Sequence, residues 1–407
     1  MSSLKETMQT FAVNQALKYI EGDPNENLPK LMDLVDKFSP DGWYESQRTA
    51  IRHAIEDKNN WYQLVMRLYE LDPGVRKAFF QNFLFNASFK GSATQHENRE
   101  KYGCNIPWAI LLDPTSACNL HCTGCWAAEY GNCLNLSLET IDSIIRQGKE
   151  LGTYMYIYTG GEPTVRKADL FKICEMHPDC MFLAFTNGTL IDEEFCQEML
   201  RVKNFVPAIS LEGFEEANDS RRGKGIYDKV ANAMRLLKEH RLPFGISTCY
   251  TSVNYKDITS EEFFDYMVDS GALFTWFFHY MPVGNGAVTE LLPSPEQREK
   301  VYHRITDDVF VPMLKQACQN LTLETTKATF WEAVRLYPEY MSKWEPNPNI
   351  RISCWYGEKE MNMKKAIKHL KRAFPNLEVH PFKGLGHGEI MAHKELLVQE
   401  LKAFLKK

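Results

Sequence analysis

The sequence predicts an α/β protein built on a parallel sheet with crossover helices. Two observations carry this. From residue 105 to 286, short apolar runs rich in aromatic and β-branched residues alternate with amphipathic helical stretches. The turns after these runs are unusually rich in cysteine and glycine. Strand–helix alternation of this kind gives a parallel sheet, and six such units fit an open, partial (β/α)6 barrel.

The strands are expected at 107–114 (PWAILLDP), 154–158 (YMYIY), 181–185 (MFLAF), 205–209 (FVPAI), 244–250 and 273–280. Helices at 138–151, 192–202, 227–240 and 260–270 fill the intervals, and Ser137-Leu138-Glu139-Thr140 has the form of a helix start. The stretch 294–305 reads as the helix after the sixth strand. Ahead of the sheet, apolar residues recur at helical spacing in 28–38, 43–56, 61–70 and 73–89. Asp41-Gly42 and Asp72-Pro73-Gly74 punctuate them, and Pro73 suits a first helical turn. Residues 1–100 are therefore expected to form a helical N-terminal subdomain, 101–305 the core and 306–407 a third segment. The run 92–101 (SATQHENREK) reads as a polar linker.

Chemistry is concentrated where the first strand ends. Cys118-Asn-Leu-His-Cys122-Thr-Gly-Cys125 places three thiols at C-x3-C-x2-C spacing. Three thiolates on one tight loop suit three irons of a cubane, and most protein cubanes take four cysteines. The fourth iron is then open to a small molecule. A structural zinc site using these cysteines with His121 or another ligand is the alternative, but zinc sites commonly pair their ligands. No second closely spaced pair follows here. The other cysteines are scattered, and most read as small buried hydrophobes.

The loop resembles the cluster motif of the radical S-adenosylmethionine (SAM) superfamily. Further motifs extend the resemblance over roughly 107–286. Thr159-Gly160-Gly161-Glu162-Pro163 resembles its GGEP turn. Thr186-Asn187-Gly188 follows the third strand, and Ser210-Leu211-Glu212-Gly213 is close to the S-[IL]-D-G of the fourth. Arg221-Arg222-Gly223 stands where an arginine meets the SAM carboxylate, and Arg222 fits the pattern better. Glu212 in place of aspartate departs from it. So does Gly124, where an aromatic usually packs on adenine; Trp126 is the substitute nearest in sequence.

The resemblance implies a radical SAM partial (β/α)6 barrel. It implies a [4Fe-4S] cluster on Cys118, Cys122 and Cys125. SAM would be held by Gly160, Gly161, Glu162, Asn187, Ser210 and an arginine of the 221–222 pair. It also implies a flavodoxin- or ferredoxin-like electron donor and a low-oxygen setting. A 5′-deoxyadenosyl radical would abstract hydrogen from a substrate that the sequence does not name.

The C-terminal segment is read differently. A strand at 349–356, a basic helix at 364–374, a strand at 377–382 and a helix at 394–405 form a β-α-β-α order. This resembles the last third of an α/β-hydrolase, with His387 at the triad histidine's place and Glu358 or Glu360 near the acid's. A triad also needs a nucleophile on a G-x-S-x-G elbow earlier in the chain. The sequence has none; Gly245-Ile246-Ser247-Thr248-Cys249 lacks the closing glycine. The alternatives to a radical enzyme are thus a hydrolase-like protein using His387, or a non-catalytic protein that binds a cluster or zinc.

Composition sets the remaining expectations. The formal net charge of −6 argues against non-specific nucleic-acid binding. Residues 1–11 lack the apolar core of a signal peptide, and no run reaches a membrane span. With 11 cysteines and a cluster motif, a reducing cytoplasm is expected.

Overall fold

The structure, a computed structural model, describes residues 19, 22–38, 45–131, 133–283, 286–305, 353–358, 367–368, 371 and 377–384. Six strands form one sheet: β1 (Ala109–Thr115), β2 (Met155–Gly160), β3 (Met181–Thr186), β4 (Phe205–Ser210), β5 (Gly245–Tyr250) and β6 (Thr275–His279). Their spatial order is their sequence order, and each neighbouring pair is parallel. This is the partial (β/α)6 architecture, with helical crossovers between successive strands.

The crossover helices start on side-chain caps. Ser137 Oγ accepts from Thr140 N–H at 3.1 Å, Asp192 Oδ1 from Phe195 N–H at 2.8 Å and Ser260 Oγ from Phe263 N–H at 3.2 Å. After β6, Ser294 and Gln297 form a reciprocal capping box for the helix Pro295–Tyr302. Each such cap stabilises its helix by ~0.5–2 kcal/mol.

Strand parity sorts the side chains onto two faces. On the helix-covered face Tyr156, Tyr158 and Phe182 are fully buried, and the rings of Tyr158 and Phe182 stack at 5.8 Å. On the other face, Phe185 of β3 meets Trp276 of β6 with ring centroids 4.8 Å apart. Neighbouring strands lie ~4.8 Å apart, so three steps across a flat sheet would separate these residues by ~14 Å. The contact requires the sheet to curl, with these rings on its concave side. Small residues lie between them: Ala208 of β4 is in register with both Phe185 and Gly245. A Cβ on Gly245 would collide with the Phe274 ring.

The N-terminal residues form the helices Pro24–Phe38, Glu45–Asp57, Asn60–Glu70 and Pro73–Phe79. A π-helical stretch, Phe80–Lys90, and the helix Gly91–Tyr102 follow without a break. The expected linker at 92–101 is therefore corrected to helix. Its composition hid this, because the segment docks by hydrogen bonds and not by an apolar stripe. Gln95 is buried and donates to Gly152 O at 2.8 Å. Within the π-helix, Asn82 donates to Pro178 O and Cys180 O at 2.8 and 3.0 Å. Asn86 donates to Asp179 O at 2.8 Å. The helical layer thus pairs with the turns that lead into β2 and β3.

The chain divides into two compact units, Met1–Asn320 and Leu321–Lys407. In the second, β7 (Ser353–Gly357) pairs in parallel with β8 (Glu378–Phe382). Glu358 follows β7, and its Oε2 accepts from Gly384 N–H at 3.0 Å. Glu360, His387, the helix expected at 394–405 and most of that expected at 364–374 lie outside the described residues. Among the described residues, no helix is long and apolar enough to cross a membrane.

Candidate active site

The three-cysteine loop leaves the C-terminal end of β1 and returns to it. At its base, Ser116 N–H donates to Leu134 O at 2.8 Å and Leu136 N–H to Pro114 O at 3.1 Å. Arg166 closes the neck by donating to Pro114 O at 2.6 Å and Leu136 O at 2.5 Å. Residues 115–136 are therefore a clasped excursion and not a free loop. Cys118, Cys122 and Cys125 are all free thiols and partly exposed. Burial pushes the Cys118 thiol up. It does the same to Cys122, against the opposing pull of Arg222 and Arg221.

The glycine pair after β2 has a specific task. Gly161 N–H donates to Thr115 O at 2.9 Å, and Glu162 N–H donates to Ala117 O at 2.8 Å. Gly160 has φ +104, and a Cβ there would lie 2.7 Å from Thr115 O. A Cβ on Gly161 would overlap the Ala117 carbonyl outright. Both glycines are thus demanded by the approach of two backbones, which ties the end of β2 to the stem of the cysteine loop.

Glu162 is fully buried. Its Oε1 accepts from Thr164 N–H at 2.9 Å, Thr164 Oγ1 at 2.5 Å and Thr186 Oγ1 at 2.7 Å. Its Oε2 accepts from Asn187 N–H at 2.6 Å. Burial raises its pKa, and the Asn187 and threonine bonds oppose the rise. Asn187 in turn donates through Nδ2 to Asn119 Oδ1 at 2.8 Å, and Asn119 donates to Thr189 Oγ1 at 2.8 Å. Glu162 and Asn187 therefore lash the ends of β2 and β3 to the cysteine loop. Ser210, at the end of β4, is partly exposed, and its hydroxyl has no hydrogen-bond partner among the described residues.

Beyond β4, Glu212 is buried between two arginines. Its Oε1 accepts from Arg221 Nη1 at 2.5 Å and from Arg222 Nε at 2.9 Å, and also from Arg222 Nη2. Its Oε2 accepts from Cys249 N–H at 3.1 Å. Burial acts to raise the Glu212 pKa, but the Arg221 and Arg222 charges prevail and hold it below the ordinary carboxylate value. Both arginines close the helix Glu215–Arg222. Arg221 O accepts from Thr123 N–H at 2.8 Å, inside the cysteine loop. The Arg221 guanidinium also lies 5.9 Å from the Tyr280 ring centroid.

Tyr280 accounts for the departure at Gly124. Gly124 has φ +68, and a Cβ there would strike the Tyr280 ring. An aromatic residue at 124 has no room, because an aromatic from the end of β6 already occupies the space. Trp126 is 44% exposed and meets Tyr130 edge-on at 5.9 Å.

Cys118, Cys122, Cys125, Gly160, Gly161, Glu162, Asn187, Ser210, Arg221 and Arg222 thus all follow or close the C-terminal ends of β1 to β4, the face at which parallel barrels carry their sites; Glu358 follows β7 instead. Arg166, Asn119 and Tyr280 were not singled out. Nothing local marks them, since each acts on a partner distant in sequence.

Zinc draws N and S ligands tetrahedrally onto one ion. Among the described residues, no group of three or more His, Cys, Asp or Glu is placed to hold a single metal ion. A cubane takes each thiolate on a different iron, so its sulfurs need not converge. Cys118, Cys122 and Cys125, free and partly exposed on one loop, are the thiols that would hold such a cluster.

Residues 112–268 match the model of the Radical SAM superfamily, a superfamily of enzymes that use SAM and an iron–sulfur cluster. The chain is 30% identical over 201 residues to Fe-coproporphyrin III synthase of Methanosarcina barkeri, covering 47% of this chain and 49% of that protein. It is 26% identical over 317 residues to GTP 3′,8-cyclase of Clostridium perfringens, covering 70% and 95%. SuiB of Streptococcus suis bound to S-adenosylmethionine superposes with a TM-score of 0.45 at 18% identity, over 65% of this chain and 64% of that one. The chain spans about half the length of the synthase. Nothing in these comparisons supports the hydrolase-like reading of 306–407.

Proposed function

We propose that this chain is a radical SAM enzyme in which Cys118, Cys122 and Cys125 hold a [4Fe-4S] cluster. The observation that carries this is the clasped three-cysteine loop at the end of β1, tied by backbone bonds to the Gly160-Gly161 turn of β2. When bound, the cluster and SAM would supply reductive cleavage of SAM and radical hydrogen abstraction, chemistry that belongs to the cofactors and not to the chain.

The chain's own residues bind and orient. Gly160 and Gly161 offer backbone atoms to the SAM amino group. Glu162 and Asn187 fix the two turns that frame it. Ser210 offers a free hydroxyl. Arg221 takes the SAM carboxylate in preference to Arg222: the Arg222 fork is spent on Glu212 through two nitrogens, whereas Arg221 gives Glu212 only Nη1. Phe185, Trp276 and Phe278 pack together and offer an apolar surface on the concave face. The electron comes from a flavodoxin- or ferredoxin-like donor, and the setting is cytoplasmic and reducing. The substrate is left unspecified.

The test is anaerobic reconstitution with iron and sulfide, then reduction, addition of SAM and assay of 5′-deoxyadenosine. Formation by the parent and its loss in Cys122→Ala is the expected result. Intact SAM over a fully assembled cluster would overturn the proposal. A hydrolase using His387 predicts ester cleavage that His387→Ala abolishes, and the same preparation can be assayed for it.

A further inference from the structure

We propose that Glu212, Arg221 and Arg222 form one buried charge unit that sets the reduction potential of the cluster on the cysteine loop, with Glu212 as its positioning residue. This rests on the radical SAM reading above. The unit holds two guanidiniums and one carboxylate, so it carries one net positive charge behind the loop. The Glu212 side chain is fully buried, and those of Arg221 and Arg222 are 12% and 11% exposed. Charges placed so deep are weakly screened by water and salt.

The unit is wired to the loop by its backbone. Thr123, between two of the cysteines, donates to Arg221 O at 2.8 Å. The Arg221 guanidinium faces the Tyr280 ring, and that ring packs against Gly124. Glu212 has no spare capacity for a substrate. Its carboxylate oxygens are taken by the arginines and Cys249 N–H, its N–H donates to Asn218 Oδ1 at 3.2 Å, and its carbonyl accepts from Asn254 Nδ2 at 2.9 Å. It is a fixed charge that orients two others. Adding an electron makes the cluster loop more negative, so a fixed positive charge beside it favours the reduced state. Net charge and burial are established levers on such potentials. An aspartate at 212 has a shorter side chain with which to meet both arginines.

The experiment is an anaerobic potentiometric titration of the reconstituted full chain without SAM, followed by electron paramagnetic resonance of the reduced cluster. Glu212→Gln raises the net charge to two positive and is expected to shift the midpoint upward. Arg222→Gln lowers it to zero and is expected to shift the midpoint downward. The double variant restores one positive charge and is expected to return to the parent midpoint. Removing both partners of a buried pair is also better tolerated than removing one, so the double variant serves if a single variant fails to fold. Arg222→Lys keeps the charge and should match the parent. A purely structural role would lower iron content and melting temperature but leave the midpoint of the loaded fraction unmoved, which overturns the inference alone. A parent chain that takes up no reducible cluster overturns both the inference and the function it rests on.

Discussion

Two buried carboxylates flank the cysteine loop, and they are stabilised by opposite means. Glu162 is held by neutral hydroxyl and amide donors and its pKa is raised; Glu212 is held by arginines and its pKa is lowered. The first is a hydrogen-bond hub between strand ends, the second a charge. The glycines beside Glu162 give a sharp prediction. Gly161→Ala places a methyl group into the Ala117 carbonyl and should destabilise the protein by ~1–3 kcal/mol, with lost iron uptake. Gly225→Ala meets nothing within 4 Å and should leave iron uptake at the parent level, paying only for its positive φ of 75°. Iron content and urea midpoint, read together, check this. A second prediction concerns pH. His177 is buried against Asp142, Nε2 to Oδ1 3.0 Å, and burial lowers its pKa while the Asp142 bond opposes the change. The unfolded imidazole takes its proton near pH ~6.5 and the folded one only below that. His177 therefore contributes stability above pH ~6.5 that is lost as the pH falls through the folded value. The urea midpoint of the parent should drop between pH 7 and 5, and His177→Gln should flatten the drop. The thiol spacing and the Gly-Gly pair were legible because each is local. That Gly161 answers to Ala117, or Gly124 to Tyr280, was not, since those partners meet only in the folded chain.

At the level of elements, strands and crossover helices were legible from period and caps, and Ser137, Asp192 and Ser260 stand at the helix starts in the structure. The layer from Pro73 to Tyr102 was read less well. A helix was expected to stop near residue 89, whereas the chain passes from α to π to α helix without a break. A π-helix has a longer turn, so period-3.6 reasoning misplaces its faces. The segment after it carries no apolar stripe to detect. Its attachment is polar, and so is its predicted weakness. Asn82→Ala removes the donor to Pro178 O and Cys180 O; Cys180 O keeps its bond from Asn204 Nδ2, so the cost should be ~0.5–1.5 kcal/mol, that of an ordinary hydrogen bond. Denaturant unfolding measures the cost. Hydrogen exchange should show the loss concentrated in the 178–180 turn and in β3.

For the whole molecule, cofactor binding and folding are linked. A ligand that binds only the native state stabilises it by ~2.7 kcal/mol at a hundredfold excess over its dissociation constant. SAM added to the anaerobically loaded protein should raise its melting temperature, and Arg221→Met should diminish that rise more than Arg222→Met. Stripping the cluster should lower protection in 115–136 before it touches the sheet, because the clasp by Arg166 separates the excursion from the strands that carry it. The contact of Phe185 with Trp276 has a further consequence. Rings from strands three apart touch across the concave face, with Phe274 against Gly245 at the start of β5. The rings brace the curl from within, as a keystone holds an arch. Truncating either one is therefore expected to relax the curvature of the sheet and not only a local contact.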